Sequence, residues 1–259
     1  MKTIILKTIK FLILFYFIFG LLLYLFQDNL IYHKAKYVKH NFKTINIKSF
    51  DNKNINLITL NEGKDTAVLY LMGNAGSYIY AAKRMNQIDP NKKYSYYILN
   101  YRGYSGKEGE PKQNLIEKDI LNIYDSIKNK YKKIIVVGRS LGTYFATYLA
   151  SKREINKLIL ITPFDSIENI GKDRFWIYPV KYLLKEKYNT LKYINKVKTD
   201  NIYIILADND NVVPFKNSKN LINHINKKIK YKKVKKTTHL NILWTQQGKS
   251  TLKAALEIK

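Results

Sequence analysis

The residues best suited to do chemistry are Gly138-Arg139-Ser140-Leu141-Gly142. They directly follow the apolar, β-branched run Ile134-Ile135-Val136-Val137 and lead straight into a helix-forming stretch at 143–150. A serine held between glycines at a strand-to-helix junction is what a nucleophile elbow requires. The turn is tight and strained, so its flanks must lack side chains, and the hydroxyl is lifted above the end of the strand. The helix N-terminus behind it adds a positive dipole and a free backbone N–H. The chemistry this suits is attack on an acyl carbonyl.

A serine hydroxyl needs a base to take its proton. The chain has 4 histidines. His33 and His40 precede the sheet-forming region, and His224 falls within a predicted helix. His239, in Thr237-Thr238-His239-Leu240-Asn241, follows the last predicted strand and is the candidate base. The base in turn needs a carboxylate to fix its tautomer and stabilise its charge. Asp208 and Asp210 both follow the apolar run at 202–206; either fits by local geometry, and one of them can cap the helix beginning near Pro214. The order serine, aspartate, histidine along the chain is that of the α/β-hydrolases, not of the two other well-known serine-protease folds.

An oxyanion hole needs a second backbone donor besides the N–H of Leu141. Gly73-Asn74-Ala75-Gly76-Ser77 supplies a small-residue loop after the strand-like run 67–72, and Asn74 is the expected donor, with Ala75 as the alternative. Each such donor contributes about 3 kcal/mol to the transition state. No cofactor and no metal is expected.

These residues must be positioned by a sheet. Strands are predicted at 44–50, 55–61, 67–72, 96–100, 133–138, 157–162, 201–207 and 229–235, and helices at 78–87, 114–130, 141–152, 215–226 and 244–258. Two opening strands followed by β-α repeats predict an α/β fold: a mostly parallel sheet of about eight strands with helices on both faces. The stretch 164–200 is too long for an ordinary crossover and rich in aromatics, and it is read as a small helical cap. Phe164 and Trp176 are its candidate pocket residues.

Ahead of the sheet, residues 11–26 are apolar without a polar face. Adding 4–9, with Lys7 and Lys10 snorkelling, gives about 20 residues, enough to span a bilayer. The run exceeds a signal-peptide core, and Leu25-Phe26-Gln27 replaces a small-residue cleavage site, so an uncleaved anchor is expected. The domains are then an anchor at 1–27 and a catalytic domain at 28–259. Lysines 2, 7 and 10 nearly balance lysines 34, 36 and 39 across the span. The short basic N-terminus is expected to stay in the cytoplasm, leaving the catalytic domain outside.

Composition sets the remaining bounds. At 259 residues, 46% hydrophobic and 25% charged, the chain can bury a sizeable core. It has no cysteine, which excludes disulfides and thiolate chemistry. The net charge of +27 accompanies abundant Lys, Asn, Ile and Tyr, the pattern of an AT-rich genome, and the lysines are dispersed. No nucleic-acid partner is expected; loose attraction to anionic lipid is, at about 1 kcal/mol per basic residue near such a surface.

The chain resembles the membrane-anchored α/β-hydrolases of the Bem46 type, relatives of the abhydrolase-domain 12, 13 and 17 proteins. The likeness rests on Phe26-Gln27-Asp28-Asn29-Leu30-Ile31-Tyr32, Gly73-Asn74-Ala75-Gly76, Asn100-Tyr101-Arg102-Gly103-Tyr104-Ser105-Gly106, the Ser140 elbow, Thr162-Pro163-Phe164-Asp165, Asp210-Asn211-Val212-Val213-Pro214 and the His239 loop. The resemblance implies Ser140 as nucleophile, His239 as base and Asp210 rather than Asp208 as the acid. It implies hydrolysis of esters or thioesters, often of lipid-like acyl groups. Met72, Asn100, Leu206-Ala207 and Thr237-Thr238 depart from the family pattern. The competing readings are a catalytically inactive binding or scaffold protein at the membrane, since fold alone does not give function, and a serine aminopeptidase.

Overall fold

The computed structural model describes residues 1–258. Short runs of Val, Ile, Leu and Tyr form the inner strands, buried on both faces as a helix-covered parallel sheet demands, while the two edge strands, Thr44–Lys48 and Lys230–Val234, are largely exposed. The strands are β1 (Thr44–Lys48), β2 (Asn54–Leu60), β3 (Thr66–Leu71), β4 (Ser95–Leu99), β5 (Lys133–Arg139), β6 (Lys157–Ile161), β7 (Ile202–Ala207) and β8 (Lys230–Val234). They form one eight-stranded sheet in the order β1-β2-β4-β3-β5-β6-β7-β8. β1–β2 and β2–β4 pair antiparallel, and every later pair is parallel. This is the expected α/β-hydrolase sheet. β3 and β5, which lead into the Asn74 loop and the Ser140 elbow, lie side by side at its centre.

Nine α-helices are described: α1 (Lys2–Ile31), α2 (Tyr78–Ile88), α3 (Gln113–Ile127), α4 (Leu141–Lys152), α5 (Ile167–Arg174), α6 (Val180–Leu183), α7 (Leu191–Ile194), α8 (Phe215–His224) and α9 (Gln246–Glu257). The helix expected to run to residue 130 ends at Ile127 and tightens into a 3₁₀ turn, Lys128–Lys130. α9 starts two residues later than expected because Thr245 caps it, its hydroxyl accepting from the N–H of Gly248 at 3.1 Å. The buried Lys157 ammonium caps the other end by donating to the carbonyls of Ala255 and Leu256 at 2.8 and 3.0 Å.

The region 164–200 holds three short helices, α5, α6 and α7. Its base is closed by a bridge between Ser166 and Asn189 and by Thr190 N–H donating to the Asp165 carbonyl at 2.8 Å. The buried Asp165 carboxylate collects the amides of Asn169, Asn217 and Asn220, tying the cap to α8.

α1 is long and apolar enough to cross a membrane, and no residue of its most hydropathic window is buried by the rest of the chain. The helix continues to Ile31, beyond the anchor boundary expected at residue 27, and its last turns are built into the folded domain: Gln27 and Ile31 are buried.

Candidate active site

The backbone at Ser140 has φ 50° and ψ −121°, a left-handed conformation that a side chain resists. The turn is possible because its flanks are glycine. A Cβ at Gly138 would stand 2.4 Å from the Gly142 carbonyl oxygen, and one at Gly142 would stand 2.2 Å from that of Leu71. The strain is held by Ser140 N–H donating to Ile161 O at 2.9 Å, and by Thr143 donating to Ser140 O through both its N–H (2.8 Å) and its hydroxyl (2.6 Å).

Ser140 Oγ lies 2.8 Å from His239 Nε2, and His239 Nδ1 lies 2.8 Å from Asp210 Oδ2. The two partners are largely dry, with side chains 6% and 8% exposed, so each hydrogen bond acts in a low dielectric. Asp210 Oδ1 accepts from the N–H groups of Val212 and Val213 at 3.0 and 2.8 Å, which aims the other oxygen at the histidine. Asp208 instead pairs with Lys233 at 2.8 Å on the surface. The structure therefore brings Asp210, not Asp208, to His239.

Thr237 and Thr238, which depart from the family pattern, both pin the His239 loop by hydrogen bonds. Thr238 N–H donates to Asn241 Oδ1 at 2.7 Å, and the buried Thr237 hydroxyl donates to Val234 O at 2.7 Å. Arg139, the variable residue of the elbow, reaches across to the carbonyls of His239 and Leu240 at 2.9 and 3.1 Å. Sequence reasoning gave Arg139 no role, and its position beside Ser140 is the only local hint of one.

Asn74 and Leu141 border the same cavity as Ser140. The loop carrying Asn74 packs directly on the elbow: a Cβ on Gly73 would stand 3.1 Å from that of Ser140. Two tyrosines of the Tyr101-Arg102-Gly103-Tyr104 motif hold this loop by its carbonyls. Tyr101 Oη donates to Met72 O at 2.8 Å and Tyr104 Oη to Asn74 O at 2.6 Å. Burial pushes both phenols up, so both remain donors. Arg102 points away into a buried cluster with Ser49, Asp51 and Asp119. His33, set aside in the sequence for its place before the sheet, comes to lie 3.1 Å from the Asn74 side-chain amide.

The cavity beside Ser140 has a volume of about 200 Å³ and is walled by apolar side chains of α1, α5 and α6 together with Phe164 and Val213. None of the side chains around it is a carboxylate. Phe164 is a wall residue as expected. Trp176 is not: it is 81% exposed and lies outside the cavity. It sits at the outer end of the cap, where nothing in the fold covers it.

Comparison with known proteins bears on the fold that carries these residues. Residues 104–242, more than half of the chain, match the model of an uncharacterised protein family, UPF0227. The chain is 28% identical over 174 residues to the lysophosphatidylserine lipase ABHD12 of Danio rerio, covering 60% of this chain and 46% of that protein. It is 27% identical over 216 residues to the uncharacterized membrane protein YNL320W of Saccharomyces cerevisiae, covering 74% and 75%. The chain spans about half the length of the first curated relatives it matches, between 46% and 58%. Among solved structures, the Pyrococcus furiosus esterase Pf2001 superposes with a TM-score of 0.70 at 18% identity, covering 87% of this chain and 97% of that one. The matched family model places the chain in family UPF0227, and its eight-stranded sheet, together with its similarity to ABHD12 and YNL320W, gives it the α/β-hydrolase fold and the likeness to the Bem46 and abhydrolase-domain 12 proteins that the sequence motifs carry.

Proposed function

We propose that this α/β-hydrolase is a serine hydrolase cleaving an ester or thioester of a lipid-like acyl group, with Ser140 as nucleophile, His239 as base and Asp210 as the acid. The observation that carries the reading is the unbroken hydrogen-bonded line from Ser140 through His239 to Asp210, ending at an apolar cavity. Ser140 Oγ attacks the acyl carbonyl carbon and gives its proton to His239 Nε2. Asp210 stabilises the imidazolium through Nδ1–H. The N–H groups of Leu141 and Asn74 hold the oxyanion. His239 then protonates the leaving alcohol or thiol, and the acyl group stays on Ser140. A water molecule, deprotonated by His239, attacks the acyl-enzyme, and release of the acid returns the proton to Ser140.

The apolar walls favour an acyl chain, and the lack of a carboxylate among them leaves no counter-charge for the free amine of an aminopeptidase substrate. The chain sits in the membrane through α1, with the N-terminus in the cytoplasm and the hydrolase domain on the far side. Labelling with a fluorophosphonate, with the adduct located by mass spectrometry, tests the chemistry. Modification of Ser140 that disappears in Ser140→Ala and His239→Ala is the expected result. A folded wild-type protein that takes no label would transfer the weight to an inactive binding protein on the same fold.

A further inference from the structure

The membrane helix and the cap are joined at a depth that has a consequence for the substrate. Tyr178 stacks on Tyr16 of α1 with ring centroids 4.6 Å apart and planes within 5°. The contact is keyed by Gly20, where a Cβ would come within 2.8 Å of the Tyr178 ring. It is also locked by two reciprocal hydrogen bonds, Tyr16 Oη to Ile177 O at 2.9 Å and Tyr178 Oη to Tyr16 O at 3.0 Å. α1 has 30 residues and a bilayer core needs about 20. Every stretch of that length within α1 contains Tyr16, Phe19 and Gly20. Wherever the helix sits along its axis, the cap segment around Tyr178 is therefore level with hydrocarbon.

The rest of the cap suits that depth. Trp176, Ile177 and Tyr182 are 81%, 50% and 81% exposed, an aromatic and aliphatic tip with no protein cover. The hydroxyls of Tyr16 and Tyr178 are each satisfied by a backbone carbonyl across the contact, of Ile177 and of Tyr16, as groups in hydrocarbon must be. One to two turns further along α1 the contacts become polar. Gln27 donates to Leu183 O at 3.0 Å and accepts from Lys185 N–H at 2.7 Å, and Lys185 lies over the Tyr24 ring. Aromatic rings followed by lysines make up the sequence of layers found at a membrane interface. α1 itself forms one wall of the cavity that reaches Ser140, from Leu23 between these layers to Leu30 and Ile31 past the second, and Ile170, Phe175 and Leu183 of the cap complete it.

We infer that the cap tip is inserted in the bilayer beside α1, and that the cavity between them admits the acyl chain of a membrane-resident lipid ester sideways from the leaflet to Ser140. The assignment of the substrate rests on the hydrolase reading above; the insertion does not.

The test uses the full chain in liposomes. The protein has 2 tryptophans, so Trp244→Phe leaves Trp176 as the sole indole. Its emission should be blue-shifted and quenched by phospholipid brominated on the acyl chains. Emission quenched by aqueous acrylamide and indifferent to brominated lipid overturns the insertion. For the entry route, Leu23→Trp narrows the α1 wall. The ratio of long-chain ester hydrolysis in vesicles to hydrolysis of a soluble short-chain ester should fall about tenfold or more, the scale of discrimination that small steric changes in an apolar pocket produce. A ratio equal to that of the wild type overturns lateral entry. Fluorophosphonate labelling of the same samples separates the two ideas: wild-type protein that is quenched by brominated lipid but unlabelled at Ser140 sinks the hydrolase reading and leaves the insertion standing.

Discussion

Asp210 divides its carboxylate between two tasks, accepting from Val212 and Val213 N–H with Oδ1 while Oδ2 stands 2.8 Å from His239 Nδ1. The backbone donors keep the second oxygen on the imidazole. Asp210→Asn preserves the shape but offers His239 no negative charge and favours the wrong tautomer. Ester turnover should fall by about 10³-fold or more, while Asp208→Asn, which loses only a surface pair with Lys233, leaves it near the wild-type value. Steady-state kinetics on a chromogenic ester decide this, and equal losses in the two variants would contradict the assignment.

The conformation of Ser140 predicts a trade of activity for stability. Its positive φ of 50° is one that glycine adopts freely. Ser140→Gly should therefore abolish hydrolysis yet stabilise the fold by about 1 kcal/mol. For a domain of this size that is a rise of roughly 2–4 °C in Tm. Calorimetry on the two proteins measures it, and an unchanged or lowered Tm argues that the turn carries no strain. Gly142→Ala should act in the opposite sense, because its Cβ would meet backbone at 2.2 Å.

Tyr104 donates to the carbonyl of Asn74 at 2.6 Å, and so anchors, from the peptide that follows, the residue whose N–H is proposed to bind the oxyanion. Tyr104→Phe keeps the ring and removes the tether. The expected effect is a loss in kcat of about tenfold, less than removal of an oxyanion donor itself, with KM little changed. A rise in KM alone would mark Tyr104 as a wall residue.

Arg102 is fully buried with Asp119, and Asp51 closes the cluster from the half-exposed side. Arg102→Met leaves Asp119 buried without its partner and should cost about 3–5 kcal/mol of stability, read as a lowered denaturation midpoint. The same cluster sets an acid response. The hydrogen bond from Arg102, with its charge, holds the Asp51 carboxyl below its ordinary value of 3.8. A carboxyl lowered in the folded state stabilises the protein above that ordinary value, and the contribution is lost as the pH falls below it. Asp51→Asn should flatten the dependence of Tm on pH below about 4. Parallel slopes in the two proteins would show that Asp51 is not coupled to folding.

Much of this architecture is local information. The strands of the parallel core are unbroken apolar runs because both of their faces are covered, so their position follows from composition. The elbow is legible because only glycine permits the approach of Gly138 to Gly142, and the apolar run at 11–26 marks α1 by length alone. The α8 and α9 boundaries were legible only to within two residues, since caps such as Thr245 depend on a single side-chain hydrogen bond.

By itself the sequence determined the order of the elements, the sheet class, the apolar N-terminal helix and a short set of residues able to act on an acyl group. Only the tertiary structure decided which groups meet. Asp208 and Asp210 are equivalent by local geometry; the family resemblance implies Asp210, and the contact itself exists only once a loop 29 residues away brings His239 to it. Arg102 is part of a motif with no partner legible in the sequence until Asp119 closes on it, and His33 reaches Asn74 across 41 residues. The sequence ends the anchor at residue 27, yet the helix runs on to Ile31 and both sides of that boundary wall the cavity beside Ser140. The physical reason is common to all four. Backbone periodicity and turn chemistry act over a few residues and are written locally, whereas an ion pair, a stacked ring or a shared cavity wall exists only once distant segments have been packed together, and an apolar side chain looks the same in sequence whether it faces lipid, core or substrate.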